Sequence, residues 1–178
     1  VTEITGVTKT KLLGDTEMFG AAAEYVLINP NGITLSGGKF INIQRLTLST
    51  GAPKIDEFGD LNALEVKKGM IIIDENTFAG ENLTSIEIVA RAIKIEAAIQ
   101  AGEYFGIQAG EISYNYKDKS ASATPPEEKP TVAVDASVFG SMYSGRIFFL
   151  INENSKSSNI DEVTITENGD VVLKADIA

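Results

Sequence analysis

The chain has 178 residues, 43% of them hydrophobic, with 25 acidic residues against 15 basic ones, a formal charge of −10, and neither cysteine nor histidine. That length supports one domain around a single core. The missing thiols and imidazoles exclude disulfides, zinc–thiolate centres, thiol nucleophiles and the commonest general base, while the acidic balance argues against the clustered cations that nucleic acid requires.

No run reaches the roughly 20 apolar residues that would cross a bilayer, so no transmembrane segment is expected. The chain starts at Val1 without a basic, then apolar, leader. It reads as a processed or excised piece of a longer protein, folded as one domain over residues 1–178.

Along the chain the patterning is short and β-like. Glu24-Tyr-Val-Leu-Ile28 runs into Asn29-Pro30-Asn31-Gly32-Ile33. Asn at i, proline at i+1 and glycine at i+3 are the preferences of a type I turn, and Asn29, preceding a proline, is pushed towards an extended conformation. The chain therefore arrives as a strand, reverses direction and leaves as a strand. Both Asn side chains can satisfy local backbone groups, which makes them shape-holders as readily as contacts for a partner.

Beyond the turn, Leu46-Thr-Leu-Ser, Leu64-Glu-Val-Lys, Met70-Ile-Ile-Ile, Ser85-Ile-Glu-Ile-Val, Ala92-Ile-Lys-Ile-Glu, Tyr104-Phe-Gly-Ile and Val163-Thr-Ile-Thr alternate or run apolar. Leu46, Val66 and Ile86 fall 20 residues apart, with Gly106 at the next step. Such a spacing suits a solenoid whose coils carry three short strands each, and the abundance of Ile and Val suits apolar ladders inside a narrow parallel core. A two-sheet sandwich can produce the same spacing. In a solenoid, Gly51, Gly69, Gly80, Gly102 and Gly110 would close strands at corners.

Lys117 to Pro130 is small, polar and proline-rich and reads as a loop. Its flanks, Ile112-Ser-Tyr-Asn-Tyr116 and Thr131-Val-Ala-Val-Asp135, alternate as the arms of a projecting two-stranded ribbon would. After it come Val134-Asp-Ala136 and Gly140-Ser-Met-Tyr-Ser-Gly-Arg-Ile147.

Three stretches together resemble a known family. The first turn lies within Leu13-Gly-Asp-Thr-Glu17, Gly20, Gly37-Gly38, Phe40-Ile-Asn42 and Arg45-Leu-Thr-Leu-Ser-Thr-Gly51; the second stretch is built around Ala90-Arg91-Ala92; the third carries Met142, Tyr143 and Gly145. In that order, from about Thr10 to Asn152, they resemble the secretion (haemagglutination-activity) domain of two-partner-secretion exoproteins, the family of filamentous haemagglutinin and contact-dependent inhibition toxins.

The resemblance implies an all-β, right-handed parallel β-helix with an extra-helical hairpin or loop near 111–135. It also implies a secretion-targeting domain of a large exported adhesin, haemolysin or toxin, with no catalysis, cofactor or metal of its own. Its partner would be an outer-membrane β-barrel transporter with periplasmic POTRA domains, met by a monomer in transit to the cell surface or medium. Asn29, Pro30, Asn31, Gly32 and Ile33 would form the recognition or register-holding turn, with Arg91, Met142, Tyr143 and Gly145 as further motif positions.

The chain departs from the family twice. It lacks the cysteine pair many members place where Leu35-Ser-Gly-Gly-Lys39 stands, and the family's extreme amino-terminal part would lie upstream of Val1. Residues 1–22 would then serve as an end rung or be only partly ordered.

Two other readings have residues of their own. A β-helical carbohydrate-active enzyme would gather Asp56, Glu57 and Asp60, or Glu65, Asp74 and Glu75 with Arg91, on one face. An adhesin module would present Tyr114, Tyr116 and Tyr143 to a receptor.

Overall fold

The structure, a computed structural model, describes residues 1–74, 83–97, 99 and 101–122, and as backbone alone residues 100, 123, 132–135, 142–143, 146–152, 157–159 and 170–175. Among the described residues there is no helix.

Parallel strands stack into a β-helix. One long sheet orders Thr2–Glu3, Ala23–Ile28, Ile43–Ser49, Ser85–Ala90, Tyr104–Gly110, Arg146–Asn152 and Asp170–Ala175, every neighbour parallel. A second orders Thr10–Leu12, Ile33–Leu35, Met70–Ile73, Ala92–Ile95, Val132–Asp135 and Ser157–Asn159 in the same sense. Short pairs, Thr16–Glu17 with Phe40–Ile41 and Ile99–Gln100 with Met142–Tyr143, form the third side. Residues 1–22 supply one strand to each side, the outermost rung among the described residues.

Alternation decides which side chains enter the cylinder. In the long sheet Leu27, Leu48, Ile88 and Ile107 are register partners, and in the second so are Ile33, Ile71 and Ile93; all are buried in one continuous core. A one-residue slip would turn each ladder outward, so the period-2 pattern fixes the register. Each fully buried Ile or Leu contributes about 1.5–3 kcal/mol relative to exposure.

The opposite face of the long sheet is not left to water. After Thr50 the chain leaves the cylinder for a hairpin, Ala52–Ile55 with Leu61–Val66, and after Gly110 for another, Ile112–Asn115 with Ala121–Ala123. The two hairpins join antiparallel through Val66↔Ile112 and Leu64↔Tyr114, giving a four-stranded outer sheet. Val26, Ile28 and Val89 of the cylinder pack against Leu61, Leu64, Val66, Ile112 and Tyr114 in a second apolar cluster.

This outer sheet corrects two sequence expectations. Register partners in the long sheet run Tyr25, Leu46, Ile86, Phe105, in steps of 21, 40 and 19 residues. Val66 is therefore not a rung position; the 40-residue step contains the first hairpin, and its length imitates an extra coil. Gly106 pairs with Glu87, one place from the expected register. The ribbon is also different: Ile112–Asn115 pairs with Ala121–Ala123 and with Leu61–Val66, whereas Val132–Asp135 is an inner strand between Ala92–Ile95 and Ser157–Asn159. Two local turns explain the early reversal. Asn115 Oδ1 accepts from Lys117 N at 3.0 Å, Asp118 Oδ1 accepts from Ser120 N at 2.9 Å, and Lys119 takes a left-handed φ of 63°.

Candidate functional site

Residues 29–33 lie at the corner between the first two sides of the cylinder. Gly32 N donates to Asn29 O at 3.0 Å, closing the reversal, and Asn29 Oδ1 accepts from Asn31 N at 2.9 Å in an Asx turn. Asn29 is fully buried. Its Nδ2 donates to Thr8 O and Thr10 Oγ1, both at 2.9 Å, and its own N–H reaches Ser49 O at 2.9 Å. Asn31 Nδ2 donates to Gly6 O at 2.8 Å while its Oδ1 accepts from Lys68 Nζ at 3.2 Å. The two Asn side chains thus tie the turn to the rung before it and, through Lys68, to the return of the first hairpin.

Space is as constrained as bonding. Gly32 has φ +117°, and a Cβ there would stand 2.8 Å from Met70 O; Gly69, at φ +91°, would place a Cβ 2.7 Å from Pro30 O. Three successive rungs meet at this corner with backbone against backbone. Ile33 follows fully buried, paired with Thr10 on one side and Ile71 on the other. What the turn offers to solvent is a shallow depression of about 350 Å³, lined by Pro30, Thr50, Ala52, Glu65, Lys67 and Lys68.

A sheet edge borders that depression, but it is a guarded one. Ala52–Ile55 is an outermost strand of the outer sheet, and Pro53 removes a donor from it. Strand addition there is disfavoured.

Arg91 sits at the corner between Ser85–Ala90 and Ala92–Ile95, with Thr50 Oγ1 accepting from its backbone N at 3.3 Å. Its Nη1 is bonded to Glu111 Oε2, the two side chains being only 8% and 5% exposed. Arg91 thus closes one rung onto the next, where the chain departs for the second hairpin. Met142–Tyr143 forms a short parallel pair with Ile99–Gln100, and Gly145 lies outside the described residues.

Beneath the outer sheet runs a polar seam that sequence reading missed. Glu87, 3% exposed, points out of the cylinder and accepts from Tyr114 Oη and Lys119 Nζ. Glu24 accepts from Tyr116 Oη, which lies 3.3 Å from Thr47 Oγ1, and Lys119 Nζ sits 4.9 Å over the Tyr116 ring. Burial pushes both phenols up, Tyr114 furthest, with the Glu87 charge adding to it and the Glu24 hydrogen bond adding to the rise at Tyr116. A lone Glu within an apolar strand was the available signal; its partners sit 27 and 32 residues away and could not be named from spacing.

Of the residues of the alternative readings, Asp56 and Asp60 share one hairpin turn and Glu65 lies on the strand that returns from it. Asp56 shapes its own hairpin, Oδ1 accepting from Phe58 N at 3.1 Å and Asp60 N at 3.0 Å. Those backbone bonds, Asp60's foremost, and Lys117 at 3.2 Å hold its carboxyl below the usual range. Burial would raise Glu65, but Lys54 at 3.0 Å and Ser113 Oγ at 2.9 Å outweigh it and leave Glu65 lowered. Arg91 faces Glu111 instead, and Glu75 lies outside the described residues. Among the described residues no group of three potential metal ligands forms. Tyr114 is fully buried and Tyr116 half-buried, so neither offers a receptor a free ring.

Comparison with known proteins agrees with the fold. The family model described as the TPS secretion domain matches residues 1–176. The chain belongs to this family. It is 34% identical over 175 residues to a tRNA nuclease CdiA of Escherichia coli (strain STEC_O31), covering 98% of this chain and 5% of that protein. A 16S rRNA endonuclease CdiA of Enterobacter cloacae is 33% identical over 186 residues, covering 100% and 6%. The crystal structure of a filamentous hemagglutinin secretion domain superposes with a TM-score of 0.77 at 22% identity, over 97% of this chain and 70% of that one. The chain therefore spans about one twentieth of the curated relatives it matches, and their nuclease names describe the whole proteins.

Proposed function

We propose that this TPS secretion domain is the address label and folding nucleus of a much longer exported protein, with no catalysis of its own. Its partner is a dedicated outer-membrane β-barrel transporter, which receives the chain in the periplasm through POTRA domains. The observation that carries this reading is the family match along nearly the whole chain, on a cylinder whose Asn29, Asn31 and Arg91 side chains are bonded within the domain itself. The recognition surface is the solvent-facing side of the 29–33 corner, where Pro30, Lys67 and Lys68 remain accessible around the depression. The Asn29 and Asn31 side chains hold that surface in shape.

Export by the transporter needs no nucleotide if rung stacking makes return require unfolding. Ile88, fully buried in the ladder, tests this: Ile88→Asn loses apolar packing and buries an amide, at a cost of about 3–5 kcal/mol. The variant, co-expressed with the transporter, should leave the cell more slowly; secretion at the normal rate refutes the stacking mechanism. Binding of the purified domain to the transporter's periplasmic domains tests the address. Lys67→Glu, at an exposed residue outside the hydrogen bonds of the turn, should weaken binding at unchanged melting temperature, and equal binding would move the recognition surface elsewhere.

A further inference from the structure

The corner at residues 29–33 also contains the sequence Asn31-Gly32, in which an asparagine side chain precedes the least hindered of backbone amides. In an unfolded chain the Gly32 nitrogen can attack Cγ of Asn31. The new N–Cγ bond closes a succinimide, the Cγ–Nδ2 bond breaks, and ammonia leaves carrying the proton given up by Gly32 N. Water then opens the ring at either carbonyl, yielding aspartate or the isoaspartate in which the backbone runs through the side chain. Asn29 is spared this reaction because its neighbour, Pro30, has no N–H to lose.

The fold withholds both reactants. Gly32 N–H is committed to Asn29 O at 3.0 Å, and the Asn31 amide is held by Gly6 O at 2.8 Å and Lys68 Nζ at 3.2 Å. Once formed, isoaspartate has no place here. It adds a backbone atom between residue 31 and Gly32, whose O accepts from Thr10 N at 3.0 Å and whose Cα faces Met70 O closely enough to exclude even a methyl group. Ile33–Leu35, next in the chain, must hold register with strands on both sides at once. Plain aspartate is milder: it keeps Lys68, but loses the donor to Gly6 O and sets a carboxylate beside it.

We propose that Asn31-Gly32 is a deamidation site open in the unfolded chain and closed by folding, so that a chain kept unfolded ages irreversibly into a form that cannot close this corner. This does not depend on any transporter and is tested on the isolated domain. Identical samples are held in native buffer and in urea at mildly alkaline pH, and the peptide containing residues 29–33 is followed by mass spectrometry with isoaspartate-specific cleavage. Asn168-Gly169 provides a second Asn-Gly pair as the reaction clock in urea. Conversion at Asn31 should be slower in the folded domain by on the order of tenfold or more, since local opening must precede attack.

On return to native buffer, the isoaspartate fraction should be missing from the refolded pool, while the Asn31→Asp variant refolds at lowered stability. Asn31→Gln, which reacts far more slowly at this position, should lose less refoldable chain over the same incubation than the parent, the conversion at Asn168 being equal in both. Equal conversion in both buffers, or isoaspartate chains recovered in the folded pool at their starting proportion, would overturn the proposal.

Discussion

Replacing Arg91 by methionine isolates the most buried charge pair among the described residues. Arg91 and Glu111 are 8% and 5% exposed, so neither can exchange its partner for water without local opening. The substitution keeps the stem of the side chain in place and takes the Arg91 partner away from the buried Glu111 carboxylate, at the exit to the second hairpin. Breaking a buried pair from one side costs about 3–5 kcal/mol, most of it the penalty of the charge left behind. For a domain of this size each kcal/mol lowers the midpoint by roughly 2–4 °C, so a fall on the order of 10 °C is expected in a thermal melt. The companion measurement is Arg91→Met with Glu111→Leu, which removes both charges and should return to within about 1.5 kcal/mol of the parent. A loss under about 1 kcal/mol for the single variant, or a double variant no better than it, would show that Glu111 does not depend on Arg91 for its burial.

Other expectations follow from neighbouring geometry. Gly32→Ala forces a Cβ into 2.8 Å contact with Met70 O at φ +117° and should cost about 2–3 kcal/mol, read as a lower urea midpoint at unchanged slope; an unmoved midpoint would mean the corner yields. Tyr114→Phe withdraws one of two donors from Glu87 and should cost about 1–3 kcal/mol by urea titration. Both Tyr114 and Tyr116 have raised folded-state pKa values, first through burial, so the stability tied to their neutral phenols is intact below the ordinary tyrosine value of 10.0 and is lost as pH rises beyond it. Spectrophotometric titration should therefore show these two phenols ionising together with unfolding; smooth ionisation of both at the ordinary value, with the fold intact, would refute their burial.

The inner ladders were legible because a parallel rung writes itself locally. Ile86, Ile88 and Ile93, Ile95 each alternate within one strand, and the Asn-Pro-Asn-Gly turn carries its own dihedral preferences in four residues. The outer sheet was not legible, since a solenoid coil and a hairpin excursion use strands of the same composition and similar length. Val66 alternates as well as Leu46 does, and only its cross-strand partner, Ile112, shows that it faces the outside of the cylinder. Tyr114 reads as surface for the same reason: between Ile112 and Tyr116 it alternates correctly, but the face it occupies is covered by the cylinder rather than by water. Glu111 gave no sign of being Arg91's partner, because the contact depends on one rung lying on the next.

That outer sheet changes how stability is shared. A bare solenoid is held by nearest-neighbour contacts, so its ends fray independently. Here Leu61–Val66 leaves one rung and Ile112–Asn115 leaves another, with the whole of Met70–Gly110 between them in sequence, and the pairing Val66↔Ile112 joins them directly. The closure entropy of so long a loop grows only logarithmically and is already met by the stacked rungs. The outer sheet should therefore behave as a clasp that forms late and makes the rungs beneath it open together. Leu64→Ala discriminates clasp from decoration: Leu64 is fully buried in the outer cluster and its loss costs about 2–5 kcal/mol. If the clasp is real, amide exchange should accelerate not only in the two hairpins but also in Ala92–Ile95, an inner strand with no residue in the outer cluster. If protection in that inner strand stays at its parent level while the hairpins exchange freely, the outer sheet is an independent unit and the cylinder stands without it.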